Sequence, residues 1–308
     1  MKIRLSLVLL IFCIFKFYSV EAILIDFNNL EDTTIDFSDF AGTNFTQDEK
    51  EQMKINLDIK NWNVKVNSSS LNTISKNKTK IVDIKDSLEY PNQSVLGVRI
   101  FFPQRRANSY AEIIPPFEIP SYYDTPKNPD GLGSMFVYKG VIRNVEVIKK
   151  IAVRVLGNNF RYGLYIRVKD KSNENKDIFV GYLNYIGWQT LTWINPNYER
   201  ILEEGQKRKA KGDDRPFYPD EFPYIKFEGF VIQRDSTEIA GNFTTMIKEV
   251  SVEYVERFID IGTAEPSQRQ ENVFNVYKEE LIIKSQKEMK DVNRRIFQQW
   301  VENNKMHR

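Results

Sequence analysis

Arg161-Tyr-Gly-Leu-Tyr-Ile-Arg-Val-Lys169 sets apolar Tyr162, Leu164, Ile166 and Val168 in alternation with Arg161, Tyr165, Arg167 and Lys169. Side chains of a β-strand point to opposite faces with period two, so this stretch predicts a strand that buries one face and wets the other. Ile151, Val153 and Val155 alternate with Lys150, Ala152 and Arg154 in the same way, and Val250, Val252 and Tyr254 with Glu249, Ser251 and Glu253. Val95 to Phe102, Trp188 to Ile194 and Phe227 to Ile232 are apolar on both sides, a composition that suits inner strands.

Turn-forming clusters separate these runs: Asn128-Pro-Asp-Gly131, Gly157-Asn-Asn159 and Ser172 to Asn175. Closely spaced strands without helical pattern between them predict two packed antiparallel sheets. An aromatic content of 13% supplies large side chains for such a core. The length of the region favours an all-β, jelly-roll-like antiparallel β-sandwich over an immunoglobulin topology, and the unit is assigned to residues 23–262.

The chain opens as a secretory signal does. Lys2 and Arg4 precede an apolar run from Leu5 to Phe15, and Val20-Glu21-Ala22 offers a cleavage site between Ala22 and Ile23. The run is too short for a transmembrane helix, which needs roughly 20 residues, and Lys16 interrupts it, so an uncleaved anchor is the weaker reading. Lipidation at Cys13 is weaker still, because Phe12 stands where a small residue is needed. Residues 1–22 are therefore read as a removable signal peptide, and the exported chain as not spanning a membrane.

Removal of residues 1–22 takes away Cys13, the only cysteine, so no disulfide can form afterwards. A cysteine-free exported chain of this size can bury its own core and fits a bacterial periplasm better than a disulfide-dependent eukaryotic secretory route. Lys2, Arg4 and Lys16 against Glu21 account for the whole formal charge of +2. The remaining chain is formally neutral, which argues against nucleic acid as the main partner and tolerates self-association.

Two segments depart from the strand plan. Glu199 to Arg215 is highly charged and holds Lys207, Arg208, Lys209 and Lys211; it reads as a solvated loop, with contact to an acidic partner as the functional alternative. After Pro266, Val273, Tyr277 and Leu281, then Met289, Val292, Ile296 and Trp300, recur at helical spacing. They form one apolar stripe among charges, with Glu280/Lys284 and Asp291/Arg295 placed for i,i+4 pairing. Residues 263–308 are thus expected as a helical tail, which either packs back on the sandwich or meets another chain. Tyr277, Leu281, Ile296 and Trp300 are the candidate contacts.

Absent chemistry narrows function. The single histidine is His307, beside the C-terminus, so Ser-His-Asp and Cys-His catalysis and the usual zinc and copper sites lack their residues. No nucleotide-binding glycine motif occurs. The 42 acidic residues leave room for a two-carboxylate glycosidase, yet nothing marks a pair. Acidic turns at Asn128-Pro-Asp130 and Asp213-Asp214 do not match an EF-hand. A carbohydrate-binding module is the alternative function, with Trp62, Trp188 and Trp193 as candidate platforms. Trp188 and Trp193 differ by five and so face opposite ways on a regular strand. Five glycosylation sequons begin at Asn44, Asn67, Asn77, Asn92 and Asn242.

The strand segments also carry a specific likeness. VLGVRIFFP from Val95, NSYAEI from Asn108, GVIRNV from Gly140, KKIAVRVLGNNFRY from Lys149, YIRVKD from Tyr165, GWQTLTW from Gly187 and KEVSVEY from Lys248 resemble, in order, the flagellar filament outer layer (FlaA) sheath family of spirochaetes. LIDF at Leu24 and NWNVKVN at Asn61 are similar in kind. The resemblance implies a non-enzymatic structural protein of the periplasm, without cofactor or catalytic residues. It would surround the flagellin core of the periplasmic flagellum, influence its shape, stiffness and motility, and have flagellin and other sheath subunits as partners.

Overall fold

The computed structural model describes residues 19–28, 30–38, 43–67, 83–84, 89–103, 107–122, 135–170, 174–200, 224–256, 290–291, 294–295 and 297–298. Two antiparallel sheets pack face to face. In the first, β1 (Ser19–Asp26), β15 (Gly241–Glu256), β10 (Val145–Asn158) and β13 (Ile186–Ile194) lie side by side. β7 (Leu96–Phe102) follows β1 end to end along the same side of β15. The second sheet runs β12 (Asn175–Tyr182), β11 (Gly163–Asp170), β14 (Tyr224–Arg234), β8 (Ser109–Ile114) and β4 (Asn63–Val66), with β9 (Val141–Arg143) also on β14. Two small pairs, β2 (Ile35–Asp36) with β3 (Lys54–Ile55) and β5 (Asp83–Ile84) with β6 (Gln93–Ser94), lie outside the main sheets.

Consecutive long strands cross between sheets. β10 lies in the first, the β11–β12 hairpin in the second, β13 in the first, β14 in the second and β15 in the first. This is the jelly-roll-like winding expected from the strand pattern. The alternations are realised as well: Leu164, Ile166 and Val168 on β11, Ile151, Val153 and Val155 on β10, and Val250, Val252 and Tyr254 on β15 are buried. Phe102, Tyr162 and Phe243 meet edge-to-face or tilted in the core, as do Phe27, Trp62, Phe227 and Phe230 nearby. Such offset contacts let aromatic quadrupoles attract.

One expectation needs correction. Phe227 to Ile232 is an inner strand, paired on both sides within β14, but Trp188 to Ile194 is not inner: β13 ends its sheet. None of its nine residues is buried. Its composition resembles that of a strand with two neighbours, yet the first sheet supplies one, β10. Val95 to Phe102 is likewise not inner: among the described strands β7 pairs with β15 alone, although most of its residues are buried.

The two sheets are tied by Gly140. Its N–H donates to the Leu24 carbonyl at 2.7 Å, and its carbonyl accepts from the Phe227 N–H at 2.7 Å. A φ of 107° and a would-be Cβ only 2.4 Å from Ile119 Cδ1 make glycine necessary there. The Ala22–Ile23 peptide lies inside β1, paired with Val252 and Ser251. Residues 19–22 bury no side chain, whereas Leu24 and Ile25 are fully buried.

Candidate functional site

The outer face of the second sheet carries a cluster of aromatic rings. Tyr165 on β11 lies opposite Phe179 on β12, and their ring centroids are 5.1 Å apart. Tyr182 follows Phe179 by three residues, a spacing that puts side chains on opposite faces of a regular strand. The register shift between the Leu164–Gly181 and Tyr165–Phe179 pairs inserts a bulge on β12, which turns Tyr182 back to the face of Phe179. The two rings meet at 5.0 Å. Gly163 lies beneath, where a Cβ would stand 3.2 Å from the Tyr165 ring and 3.3 Å from that of Phe179. Tyr110 on β8 shares the row, through Tyr182, Gly163 and Gln233 in register.

Phe179 and Tyr182 remain 39% and 45% exposed, and Tyr110 42%, so this is a solvent-facing patch rather than core. Arginines frame it. Arg161 lies 5.3 Å over the Tyr182 ring. Arg167 grips Asp177 with two bonds of 2.6 and 2.8 Å and Glu112 with a third of 2.9 Å. Its guanidinium is thus held between Asp177 and Glu112 by paired, charge-assisted bonds. Neighbouring rings are inclined by 56° and 66°. The three rings therefore do not form one flat platform. Partial burial raises the Tyr165 phenol above its ordinary value.

A second cluster lies between β11, β14 and the segment after β8. Lys169 and Lys226 are directly opposed across β11 and β14, an unfavourable like-charge pair by itself. Glu118 relieves it, accepting from Lys226 at 2.9 Å and Lys169 at 3.0 Å. Lys226 is wholly buried. Burial alone would raise the Glu118 carboxyl, but Lys226 and Lys169 outweigh it and bring the value down to about 2. Glu228, in the β-bulge before Gly229, is raised by burial, and its Oε1 has no hydrogen-bond partner among the described residues. Arg295 from the tail closes on the other Glu118 oxygen. Both oxygens of Glu118 are thereby held by cations, the arrangement of an electrostatic anchor.

The sequence candidates distribute as follows. Trp62 is core, 4% exposed, with its indole N–H donating to the Leu57 carbonyl at 2.9 Å. Trp188 and Trp193 do face opposite ways: Trp193 packs against the core, and Trp188 meets Tyr90 edge-on at 4.9 Å. Lys207, Arg208, Lys209, Lys211, Tyr277, Leu281, Ile296 and Trp300 lie outside the described residues, as do both acidic turns. Among the described tail residues, Arg295 and Phe297 turn onto their own sandwich, Phe297 meeting Phe45 at 5.8 Å. No group of three or more His, Cys, Asp or Glu among the described residues is placed to hold a metal. The Tyr165–Phe179–Tyr182 patch escaped the sequence reading; its only signal is the aromatic spacing around Gly163 and Gly181.

Comparison with known proteins matches residues 26–263 to the family "Flagellar filament outer layer protein Flaa". That span starts at the end of β1 and runs past the end of β15, covering nearly the whole sandwich. A flagellar filament outer layer protein of Spirochaeta aurantia is 35% identical over 79% of this chain and 75% of its own length. Those of Treponema pallidum and Borreliella burgdorferi are 30% and 31% identical over 72% and 74% of this chain, and 67% and 63% of their own lengths. A solved carbohydrate-binding structure, TmCBM61 with β-1,4-galactotriose, aligns at 8% identity over 63% of this chain and 88% of its own, with a TM-score of 0.30. A superposition that poor supports no argument about ligand.

Proposed function

This chain belongs to the flagellar filament outer layer protein family, and we propose on that premise that it is a sheath subunit laid around the flagellin core of a periplasmic flagellum. The observation that carries the reading is the extent of the match, which takes in nearly every strand of the sandwich. The chain acts as a building part: its conspicuous surface chemistry is an exposed aromatic patch flanked by Arg161 and the ion-paired Arg167, suited to protein contact. In this reading residues 1–22 direct export and are cleaved between Ala22 and Ile23. The loss of residues 19–22 would remove no buried side chain, so the sandwich retains its core. Contact with flagellin through the aromatic patch, and with sister subunits elsewhere, would stiffen the filament and set its shape. Repeated, individually modest interfaces suit such a layer.

The test is fractionation. Periplasmic flagella purified from cells should carry the protein in stoichiometric amounts and lose it on mild stripping, with filament curvature or stiffness altered. Its absence from intact filaments would refute the proposal.

A further inference from the structure

Among the described residues, every long strand edge of this sandwich save one is guarded. A free edge presents unpaired N–H and C=O groups that can extend a sheet into another chain, and proteins blunt edges with charge, bulges or brevity. β12 carries Lys176, ion-paired with Asp170, and Asp177, gripped by Arg167. β4 has four residues and includes Lys65. β1 holds Glu21 and Asp26 and is bulged between Ile23 and Ile25. β7 turns Arg99 to solvent.

β13 has none of these devices. Ile-Gly-Trp-Gln-Thr-Leu-Thr-Trp-Ile contains no charged residue, and its nine residues pair with β10 without a register shift. Among the described residues no strand lies on its other side. Ile186 is 81% exposed and Ile194 67%. This is the strand whose composition reads as an inner one, and we propose that it is inner in the assembled protein: β13 pairs antiparallel with β13 of a second copy about a two-fold axis at Thr190.

Self-complementarity singles out a second copy as the occupant. Opposed residues in an antiparallel pair lie on the same face, so a two-fold perpendicular to the sheet must lie midway between the two copies of one residue. Centring it on Thr190 pairs all nine residues; any shifted centre leaves an end unpaired. Ile186 then faces Ile194 of the second copy on the outer face, twice, and the pairing covers both exposed isoleucines of the strand. On the inner face Gly187 meets Trp193 of the second copy, small against large. Gly187 has open space around it, with nothing within 4 Å of a would-be Cβ. No like charges are opposed. The first sheets of the two copies become one continuous sheet, and the dimer is the unit that other surfaces build on. The proposal names the copy-to-copy contact of the sheath reading and rests on that reading for its setting, but its test needs no filament.

The exported chain has no cysteine, so one introduced at Thr190 reports on the axis alone. Directly opposed Cα atoms on antiparallel strands stand roughly 4.5–5.5 Å apart, within disulfide range. Thr190→Cys in protein purified from the periplasm is expected to give a disulfide-linked dimer under mild oxidation, well ahead of Ile239→Cys, a 73% exposed control. Thr190→Glu, which faces Arg154 within its own sheet, and Thr192→Glu, both at exposed positions, should retain the wild-type circular dichroism spectrum and weaken dimerisation at least ~10-fold by sedimentation, because each places like charges near the axis. A protein monomeric at about 100 µM, a low-affinity threshold, would overturn the proposal. So would cross-linking of Thr190→Cys no faster than the control, or cross-linking to flagellin in place of itself. A dimer that fails to appear on filaments would instead refute the sheath reading and leave this contact standing.

Discussion

Arg295 approaches the same oxygen of Glu118 through Nε at 3.0 Å and Nη2 at 2.9 Å, across 177 residues of chain. The contact fixes the far end of the protein to the segment after β8, beside the opposed lysines of β11 and β14. Arg295 is nearly half exposed, so the ion pair itself adds less than ~1 kcal/mol to stability. Its consequence is local. Arg295→Ala should leave the unfolding midpoint almost unchanged and make the tail sensitive to limited proteolysis. Equal cleavage rates for variant and wild type would contradict this role.

Glu118 is a different matter, because Lys226 behind it is wholly buried. Removing the carboxylate leaves that ammonium poorly compensated, a loss of about 3–5 kcal/mol for Glu118→Ala. The pH dependence follows from the depressed carboxyl. Lowered from 4.5 to about 2, it contributes stability that is fully present above 4.5 and is lost as pH falls towards 2. Glu228 is shifted the other way by burial, so protonating it favours the folded state and offsets part of the loss. Denaturant titrations between pH 5 and 2 should show a slope in the wild type that Glu118→Gln flattens. Parallel curves for the two proteins would refute the assignment.

Gly140 supplies one hydrogen bond to each sheet, and a methyl group there collides with Ile119 at 2.4 Å in an unfavourable backbone conformation. Gly140→Ala should destabilise by on the order of 3 kcal/mol. Thermal unfolding measures it, and a shift indistinguishable from zero would mean that the strap can move aside.

Phe179→Ser with Tyr182→Ser removes two exposed rings without touching the core. Stability should fall by about 1–2 kcal/mol, through loss of the cross-strand ring contacts and the Arg161 contact, with the fold retained. Binding to purified flagellin filaments should weaken by at least ~10-fold, as expected for aromatic anchors at the centre of an interface. Undiminished co-sedimentation would move the flagellin contact elsewhere.

Much of the sandwich is legible in sequence, because burial imposes period two wherever a strand has one wet face, as at Leu164, Ile166 and Val168. Where a strand's exposure depends on its neighbours, the pattern misleads. Trp188 to Ile194 is apolar enough for a central place, and nothing local to it says that β10 is its one neighbour among the described strands. The aromatic patch was hidden for a related reason: Phe179 and Tyr182 share a face only through a bulge, a feature of pairing and not of either residue. Trp62 drew notice as a possible sugar platform and proves to be core, because the indole finds its hydrogen bond at Leu57. The Arg295–Glu118 contact joins segments too far apart in sequence for any spacing rule to foresee. The family likeness, resting on ordered strand motifs, reached the function that individual side chains did not announce.

The central claim, that this sandwich is a sheath subunit, is tested most directly by quantitative immunoblotting of periplasmic flagella purified from the native cell. The protein should be retained along intact filaments in a fixed ratio to flagellin and released when the outer layer is stripped. Recovery wholly in the soluble periplasmic fraction, with filaments free of it, would contradict the account.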